Sequence, residues 1–382
     1  MKIVYCQCSV YNPGGMERVL LNKVRWIRKN RPDWEVVLVT TDQRHRPPFY
    51  DFPEGVRMID LDINYSEGNT QGVIRKTLGF FAKRRRHRRK LTELLMRERA
   101  DIVVSLYPSE SSFIPSIADG SKKILELHFN KFFRQQYGRS GLLGLMDRWR
   151  SRQDERLVRR FDSFVVLTEE DRGYWGELPN ISVIGNAALP HSATPARPGS
   201  SRRVIAAGRL DYQKGFDRLI EAWSLVNADP RSEGWRLDIF GQGEWKEMLD
   251  EMIRAKGLAS SVSINRPTNA IAEEYGGSAF LAMTSHFEGF PMVMIEAMSA
   301  GLPVVTFDYR CGPRDIIADG INGITVTDGD IRAFADAMLR LIADADLRAS
   351  MGREAAKVSE RYSEERIMGQ WMKLFEELSS KP

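Results

Sequence analysis

Cysteine is scarce in this chain: Cys6, Cys8 and Cys311 are the three in 382 residues. That excludes a disulfide framework. Cys6-Gln7-Cys8 lacks the further ligands of a zinc site, so all three read as reduced, buried thiols. Long hydrophobic runs are missing as well. Met1-Lys2-Ile3-Val4-Tyr5-Cys6 has too short an apolar stretch for a secretory signal, and no segment approaches a membrane span in length. A cytoplasmic location is therefore expected. Two nucleotide fingerprints are also absent. Neither Gly14-Gly15 nor Gly241-Gln242-Gly243 completes Gly-x-Gly-x-x-Gly or a phosphate loop ending in Lys-Ser/Thr, so dehydrogenase and ATPase readings lose support. No internal repeat of solenoid period is present.

What is there suits a soluble globular protein with room for two cored domains: 42% hydrophobic and 28% charged residues. The net charge of +5 hides a local bias, because Lys83-Arg84-Arg85-Arg86-His87-Arg88-Arg89-Lys90 carries seven basic residues in eight positions. Such a run reads either as a solvated helix face or as a contact with an anionic membrane surface. The second reading draws on apolar Val73, Ile74, Leu78, Phe80 and Phe81 before it and Leu91, Leu94 and Leu95 after it. A nucleic-acid partner is not expected, since the rest of the chain has no matching motif.

Short β-rich runs alternate with helical patterns in the first half: strands over 2–6, 36–40, 102–106, 123–127 and 163–167, helices over 16–29, about 88–99 and about 144–160. That is βαβ grammar. The periodic pattern breaks over 189–202, where Pro195, Pro198, Gly199 and several serines and threonines suggest a linker. Afterwards the grammar restarts, with strands over 203–207, 236–240, 262–264, 279–283 and 303–306 and helices over 215–226, 244–256, 270–275 and 292–300. An α/β protein follows, with one domain over 1–188 and another over 203–362. Ligands of open α/β sheets bind at the carboxyl ends of strands, which places Gly208-Arg209, Gly241-Gln242-Gly243 and 285–290 on one rim.

Three segments carry chemistry. In Glu288-Gly289-Phe290-Pro291-Met292-Val293-Met294-Ile295-Glu296 one carboxylate lies in a Gly/Pro turn and the other on a helix, a pair suited to the hydroxyls of a sugar or ribose. In Gly208-Arg209-Leu210-Asp211-Tyr212-Gln213-Lys214-Gly215 two cations sit in a strand-to-helix loop, as a diphosphate requires. Gly14-Gly15 joins the first strand to the first helix, either as a tight turn or as a place where a charged ligand approaches backbone amides. The triplet Asp60-Leu61-Asp62 is far in sequence from the phosphate loop and reads as surface.

These segments, together with Pro13-Gly14-Gly15-Met16-Glu17-Arg18-Val19 and the run from Ser285 through Val304, make the chain resemble the retaining glycosyltransferases of family 4. The resemblance covers nearly the whole chain and implies the GT-B fold: two Rossmann-like βαβ domains facing across a cleft, the second holding the donor and the first the acceptor. It implies that Arg209 and Lys214 hold the donor diphosphate, that Glu296 accepts from the ribose hydroxyls, and that Glu288 meets the transferred sugar. Backbone near Gly289, Phe290 and Pro291 then faces the donor, as does Gly241, and Gly15 approaches the phosphates from the other domain. His128 looks like the family's active-site histidine. Arg266 either contacts the nucleotide or caps a turn. By the same resemblance a last helix over 363–382 packs back on the first domain. The implied function is metal-independent, cofactor-free transfer of a hexose-type sugar from a nucleotide-sugar donor, UDP-linked, to a glycan or lipid-linked glycan acceptor in cell-surface polysaccharide or lipopolysaccharide synthesis. The protein is then cytoplasmic and peripheral on the inner face of the membrane. A nucleotide-sugar epimerase and a non-catalytic sugar-nucleotide-binding protein stand as alternatives.

Overall fold

The computed structural model describes residues 1–12, 14–65, 73–107, 109–135, 141–188, 196 and 199–380. Most of the expected linker and Pro13 lie outside them, as do the side chains of Val73, Ile74 and Leu78. In chain order the first half runs β1 (Lys2–Gln7), α1 (Gly15–Asn30), β2 (Glu35–Thr40), β3 (Val56–Asp60), α2 (Val73–Glu98), β4 (Ile102–Ser105), β5 (Lys122–Glu126), α3 (Gly141–Val158), β6 (Ser163–Val166), α4 (Glu169–Trp175) and β7 (Ile181–Val183). The second runs β8 (Arg203–Ala207), α5 (Phe216–Asn227), β9 (Arg236–Phe240), α6 (Lys246–Ala255), β10 (Val262–Asn265), α7 (Ile271–Gly276), β11 (Phe280–Met283), α8 (Met292–Ser299), β12 (Val304–Phe307), α9 (Pro313–Ile316), β13 (Gly323–Val326), α10 (Ile331–Ala343), α11 (Ala345–Ala356), α12 (Val358–Arg361) and α13 (Glu364–Ser379).

All named strand pairs are parallel, in two sheets of order β3-β2-β1-β4-β5-β6-β7 and β10-β9-β8-β11-β12-β13. Each begins with the Rossmann order, in which the chain leaves the central strand in one direction and returns on its other side. The switch points are therefore β1/β4 and β8/β11. Parallel strands covered on both faces read as unbroken apolar runs, and Ile3, Val4, Val36, Val37, Val103, Val204, Ile205 and Leu281 are accordingly buried. Each such side chain contributes roughly 1.5–3 kcal/mol through removal from water.

The chain divides into two compact units. Unit 1 comprises Met1–Leu167, Asp171–Ile184 and Met368–Pro382; unit 2 comprises Thr168–Glu170 and Gly185–Ile367. Two described parts of the expected linker are bonded within unit 2: Ala196 N–H donates to Ala300 O at 2.8 Å, and Arg348 donates to Gly199 O at 3.2 Å. On unit 1, α13 buries Trp371 under the Lys23 ammonium at 3.9 Å, and Phe375 against Trp34 at 6.4 Å.

Three sequence readings need correction. Cys8 is exposed, because it lies just past the end of β1. The β7 and β13 strands and helices α9 to α12 were not anticipated, since β7, β13, α9 and α12 are only three or four residues long and α10 and α11 follow each other across the single residue Asp344. Finally, α2 starts at Val73, not near 88. Like charges along the basic run do not break it, because loops after β3 and β4 take up several of them. Lys83 donates to Asn64 O, Lys90 to Leu61 O at 2.6 Å and Arg84 to Ser112 Oγ at 3.0 Å. Arg85, Arg86, Arg88 and Arg89 stay exposed, whereas His87 is buried.

His87 has Tyr65 Oη 3.0 Å from Nδ1 and the Phe113 ring edge-on at 5.0 Å. Burial holds this imidazole down at about 4 against an ordinary 6.5, with Asp42 pulling the other way. Since the folded pKa is the depressed one, the unfolded chain takes up the proton first. The stabilisation is complete above about 6.5 and lost as pH falls toward about 4. Roughly 3 kcal/mol should disappear across that window. Urea unfolding at neutral pH and at about pH 4.5 reads it, and His87→Gln should flatten the dependence; an equal loss in variant and wild type would contradict the assignment.

Candidate active site

The residues expected from the sequence to face a donor lie on two adjacent loops of unit 2, at the carboxyl ends of β8 and β11. After β8 the chain makes a single 3-10 turn over Tyr212–Lys214, capped by Asp211 Oδ1, which accepts from Lys214 N–H at 3.3 Å. Gly215 then takes φ 61° and opens α5. This residue has to be glycine: a Cβ there would sit 2.3 Å from Thr284 O in the β11 loop. The two loops are further tied by Thr284 Oγ1 donating to Gly215 O at 2.8 Å and His286 N–H donating to Gln213 O at 2.8 Å.

That junction sets the side chains. Glu288 is buried, and its Oε1 accepts from Lys214 Nζ at 2.6 Å and Ser285 Oγ at 2.8 Å. Its Oε2 accepts from Gln213 Nε2 at 3.1 Å. Gln213 passes the network on, its Oε1 accepting from Arg209 Nη2 at 2.6 Å. Arg209, with 67% of its side chain exposed, also lies 3.2 Å from Asp211 Oδ2. The structure thus brings Arg209, Lys214 and Glu288 together. The sequence reading missed Gln213 and Ser285, whose signal was their spacing: one precedes the lysine, the other stands three residues before the carboxylate. Behind the loop, His286 stacks on Tyr212 at 4.3 Å and 9°, beside Arg218. Burial first, and Arg218 second, lower its pKa.

The other predicted residues take several positions. Glu296 is half-buried on α8, whose N-cap is Pro291. Phe290 packs its ring on Tyr362 at 5.4 Å, so only its backbone remains to meet a ligand; Gly289 beside it is partly exposed. Arg266 is exposed beyond β10, the outermost strand, two strands from the switch point. Gly241 has a packing reason of its own, since a Cβ would lie 2.0 Å from Gly208 O.

In unit 1, Gly15 starts α1 at the carboxyl end of β1, and a Cβ on it would meet nothing within 4 Å. His128 follows β5. Its Nε2 lies 2.9 Å from Oε1 of the wholly buried Glu126, which also accepts from Lys23. Burial pushes the Glu126 carboxyl up, but Lys23 and His128 outweigh it and hold it at about 2. Burial likewise lowers the Lys23 ammonium against the pull of Glu126. Lys23 and Glu126 escaped the sequence reading. Lys23 stands among buried Val19, Leu20, Val24 and Ile27 on the inner face of α1, and a lysine in such a place demands a buried acid. Among the described residues, no group of three or more His, Cys, Asp or Glu is disposed to hold a metal ion. No described helix is long and apolar enough to cross a membrane.

Residues 13–188 match the family model described as Glycosyltransferase Family 4, and residues 191–358 match the one described as Glycosyl transferases group 1. The amylovoran biosynthesis glycosyltransferase AmsD of Erwinia amylovora is 36% identical over 219 residues, 55% of this chain and 61% of the relative. A lipopolysaccharide 1,6-galactosyltransferase of Salmonella typhimurium is 35% identical over 170 residues, 43% and 46% of the two chains. These alignments span less than two thirds of the relatives' own lengths. Among solved structures, Anabaena HepE in complex with UDP and glucose superposes with a TM-score of 0.71 at 18% identity, covering 99% of this chain and 100% of the other. The fold is therefore that of the GT-B glycosyltransferases, two Rossmann-like domains each with its own parallel sheet. The chain belongs to glycosyltransferase family 4.

The two glycines separate packing from ligand approach. Gly15→Ala should leave the thermal midpoint within about a degree of wild type, since the new methyl enters open space. Gly241→Ala should cost about 1–3 kcal/mol by overpacking. Thermal unfolding of both variants checks this, and equal destabilisation would contradict it.

Proposed function

We propose that the protein is a retaining, metal-independent glycosyltransferase that moves a hexose from a UDP-linked donor to a glycan or lipid-linked glycan in cell-surface polysaccharide or lipopolysaccharide synthesis. The carrying observation is the single hydrogen-bonded network of Arg209, Gln213, Lys214, Ser285 and Glu288 at the β8/β11 switch point. Family membership supports the transfer reaction. The relatives named for amylovoran and lipopolysaccharide support the polymer class, and the UDP and glucose named with HepE support the donor.

In this reading a diphosphate entering the network shares Lys214 with Glu288, an ammonium having three donors. Arg209 turns from Gln213 to fork across phosphoryl oxygens. Both cations then stabilise charge as it grows on the leaving nucleotide, which lowers the barrier without a metal. Glu288, held by Ser285 and Gln213, faces the sugar hydroxyls, and Glu296 the ribose. On the acceptor side His128, oriented by Glu126, is a hydrogen-bonding partner for the sugar. The acceptor oxygen bonds to the anomeric carbon on the face from which the phosphate oxygen departs, and that oxygen takes up the acceptor's proton. Retention follows.

Calorimetric titration with a panel of nucleoside diphosphates, with and without chelator, tests the donor side. UDP should bind regardless of chelator, and Lys214→Ala and Glu296→Ala should each weaken it by about tenfold or more, ~1.4 kcal/mol. Glu288→Gln removes the carboxylate charge but keeps one acceptor oxygen for Lys214 and Ser285, so it should retain UDP and lose transfer. Chelator-sensitive binding, or UDP affinity untouched by Lys214→Ala, would count against the reading. Peripheral membrane attachment is the second part of the proposal, supported by exposed Arg85, Arg88 and Arg89 beside exposed Phe80 and Phe81 on α2. Wild-type protein should sediment with anionic vesicles at low salt, and Arg85/Arg88/Arg89→Glu should stay in the supernatant; identical behaviour would sink this part.

A further inference from the structure

Unit 1 presents an aromatic side chain that the donor-side reading leaves unused. Phe129 follows His128 directly and is 42% exposed. It is carried by a supported stack: its ring lies on Phe133 at 5.7 Å and 29°, and Phe133 meets Tyr107 edge-on at 5.6 Å and 86°. The Arg134 guanidinium covers Phe133 at 4.7 Å. Beneath, Arg134 Nε donates to Asp154 Oδ2 at 2.9 Å, and the Tyr107 hydroxyl donates to Asp154 Oδ1 at 3.3 Å while accepting from Arg134. Three parts of unit 1 contribute: Tyr107 from the loop after β4, the phenylalanines and Arg134 from the loop after β5, and Asp154 from α3.

The stack is also strained. Tyr107 holds φ 54°, a conformation costly for a bulky residue and one that persists only where its surroundings over-determine it. Phe133 is half-buried in this stack, and Phe132 stands edge-on to Tyr174 at 5.0 Å. The apparatus leaves one ring, Phe129, facing solvent one residue after His128, whose imidazole is 7% exposed, at the carboxyl ends of strands that neighbour the β1/β4 switch point. A pyranose matches that surface: its faces are C–H groups with slight positive charge, suited to the negative face of a phenyl ring, and its rim is hydroxyls, suited to a histidine.

We propose that Phe129 is the platform on which a pyranose ring of the acceptor stacks, with a hydroxyl of that ring turned toward His128. This rests on the glycosyltransferase reading and adds where, and by what chemistry, the acceptor sugar is held. Membrane contact is the competing use of an exposed aromatic, and the supported stack with a polar neighbour favours the sugar.

Saturation-transfer NMR on the full chain tests it, with the methyl glycosides of glucose, galactose and N-acetylglucosamine as probes and UDP present. At least one probe should show saturation strongest on the protons of one ring face. Phe129→Ala should reduce that signal by about fivefold or more, and Phe129→Trp should keep it. The thermal midpoint of Phe129→Ala should fall by only a few degrees, because the ring's stacking partner is Phe133 and nearly half of it is exposed. No signal from any probe with wild type, or an unchanged signal in Phe129→Ala, overturns the proposal. Loss of anionic-vesicle binding in Phe129→Ala with pyranoside contact intact overturns it in favour of lipid. The UDP resonances in the same tubes report on the donor site separately. Their silence would overturn the donor reading, and the pyranoside comparison would then be repeated and judged without nucleotide.

Discussion

Gly215, pressed against the Thr284 carbonyl, is the contact on which the proposed donor site depends. No side chain fits between them, and the left-handed backbone there turns a 3-10 turn into the start of α5. The close approach locks the β8 loop to the β11 loop. That lock brings Lys214 within 2.6 Å of Glu288, although 74 residues separate them in sequence. A buried carboxylate is tolerable only with its partners in place, and here a lysine, a serine and a glutamine supply them. In the proposed reading, binding chemistry and stability are the same set of bonds.

Unit 1 solves a similar problem differently. Glu126 lies on a strand in the core, where an ionised carboxylate is costly, and it stays ionised because Lys23 reaches it from α1 and His128 from the end of its own strand. The ammonium is in turn covered by Trp371 of the last helix. Removing either charge would strand the other, so the orientation of His128 is underwritten by the core rather than by the surface loop that carries it. Unit 1 thereby holds a fixed imidazole one residue before the first ring of the supported aromatic stack.

Most of the sheet architecture was legible in the sequence because parallel strands buried on both faces are continuous apolar runs, and the strands Glu35–Thr40 and Arg203–Ala207 fall where those runs do. Helix α2 was legible only in its second half. The amphipathic period is clear from Leu91 onward, whereas the basic run before it is held by carbonyls and hydroxyls of distant loops, which no local pattern reveals. In the candidate site, residue types and loop positions were readable from Arg209, Lys214 and Glu288. Their pairing was not, since it depends on a backbone contact between two loops. Gly241 shows the opposite case, a motif glycine whose requirement the packing against Gly208 already explains. Lys23 and Glu126 were passed over because each looks ordinary alone; only the fold sets them opposite each other.

The most direct test of the central claim, that the joined β8 and β11 loops are the donor site, is hydrogen–deuterium exchange with UDP added to the wild-type protein. The account predicts that protection in unit 2 rises in the segments 208–215 and 284–296 and not at Arg266 and its neighbours. Protection centred elsewhere in unit 2, or none in those two segments at saturating UDP, would contradict it.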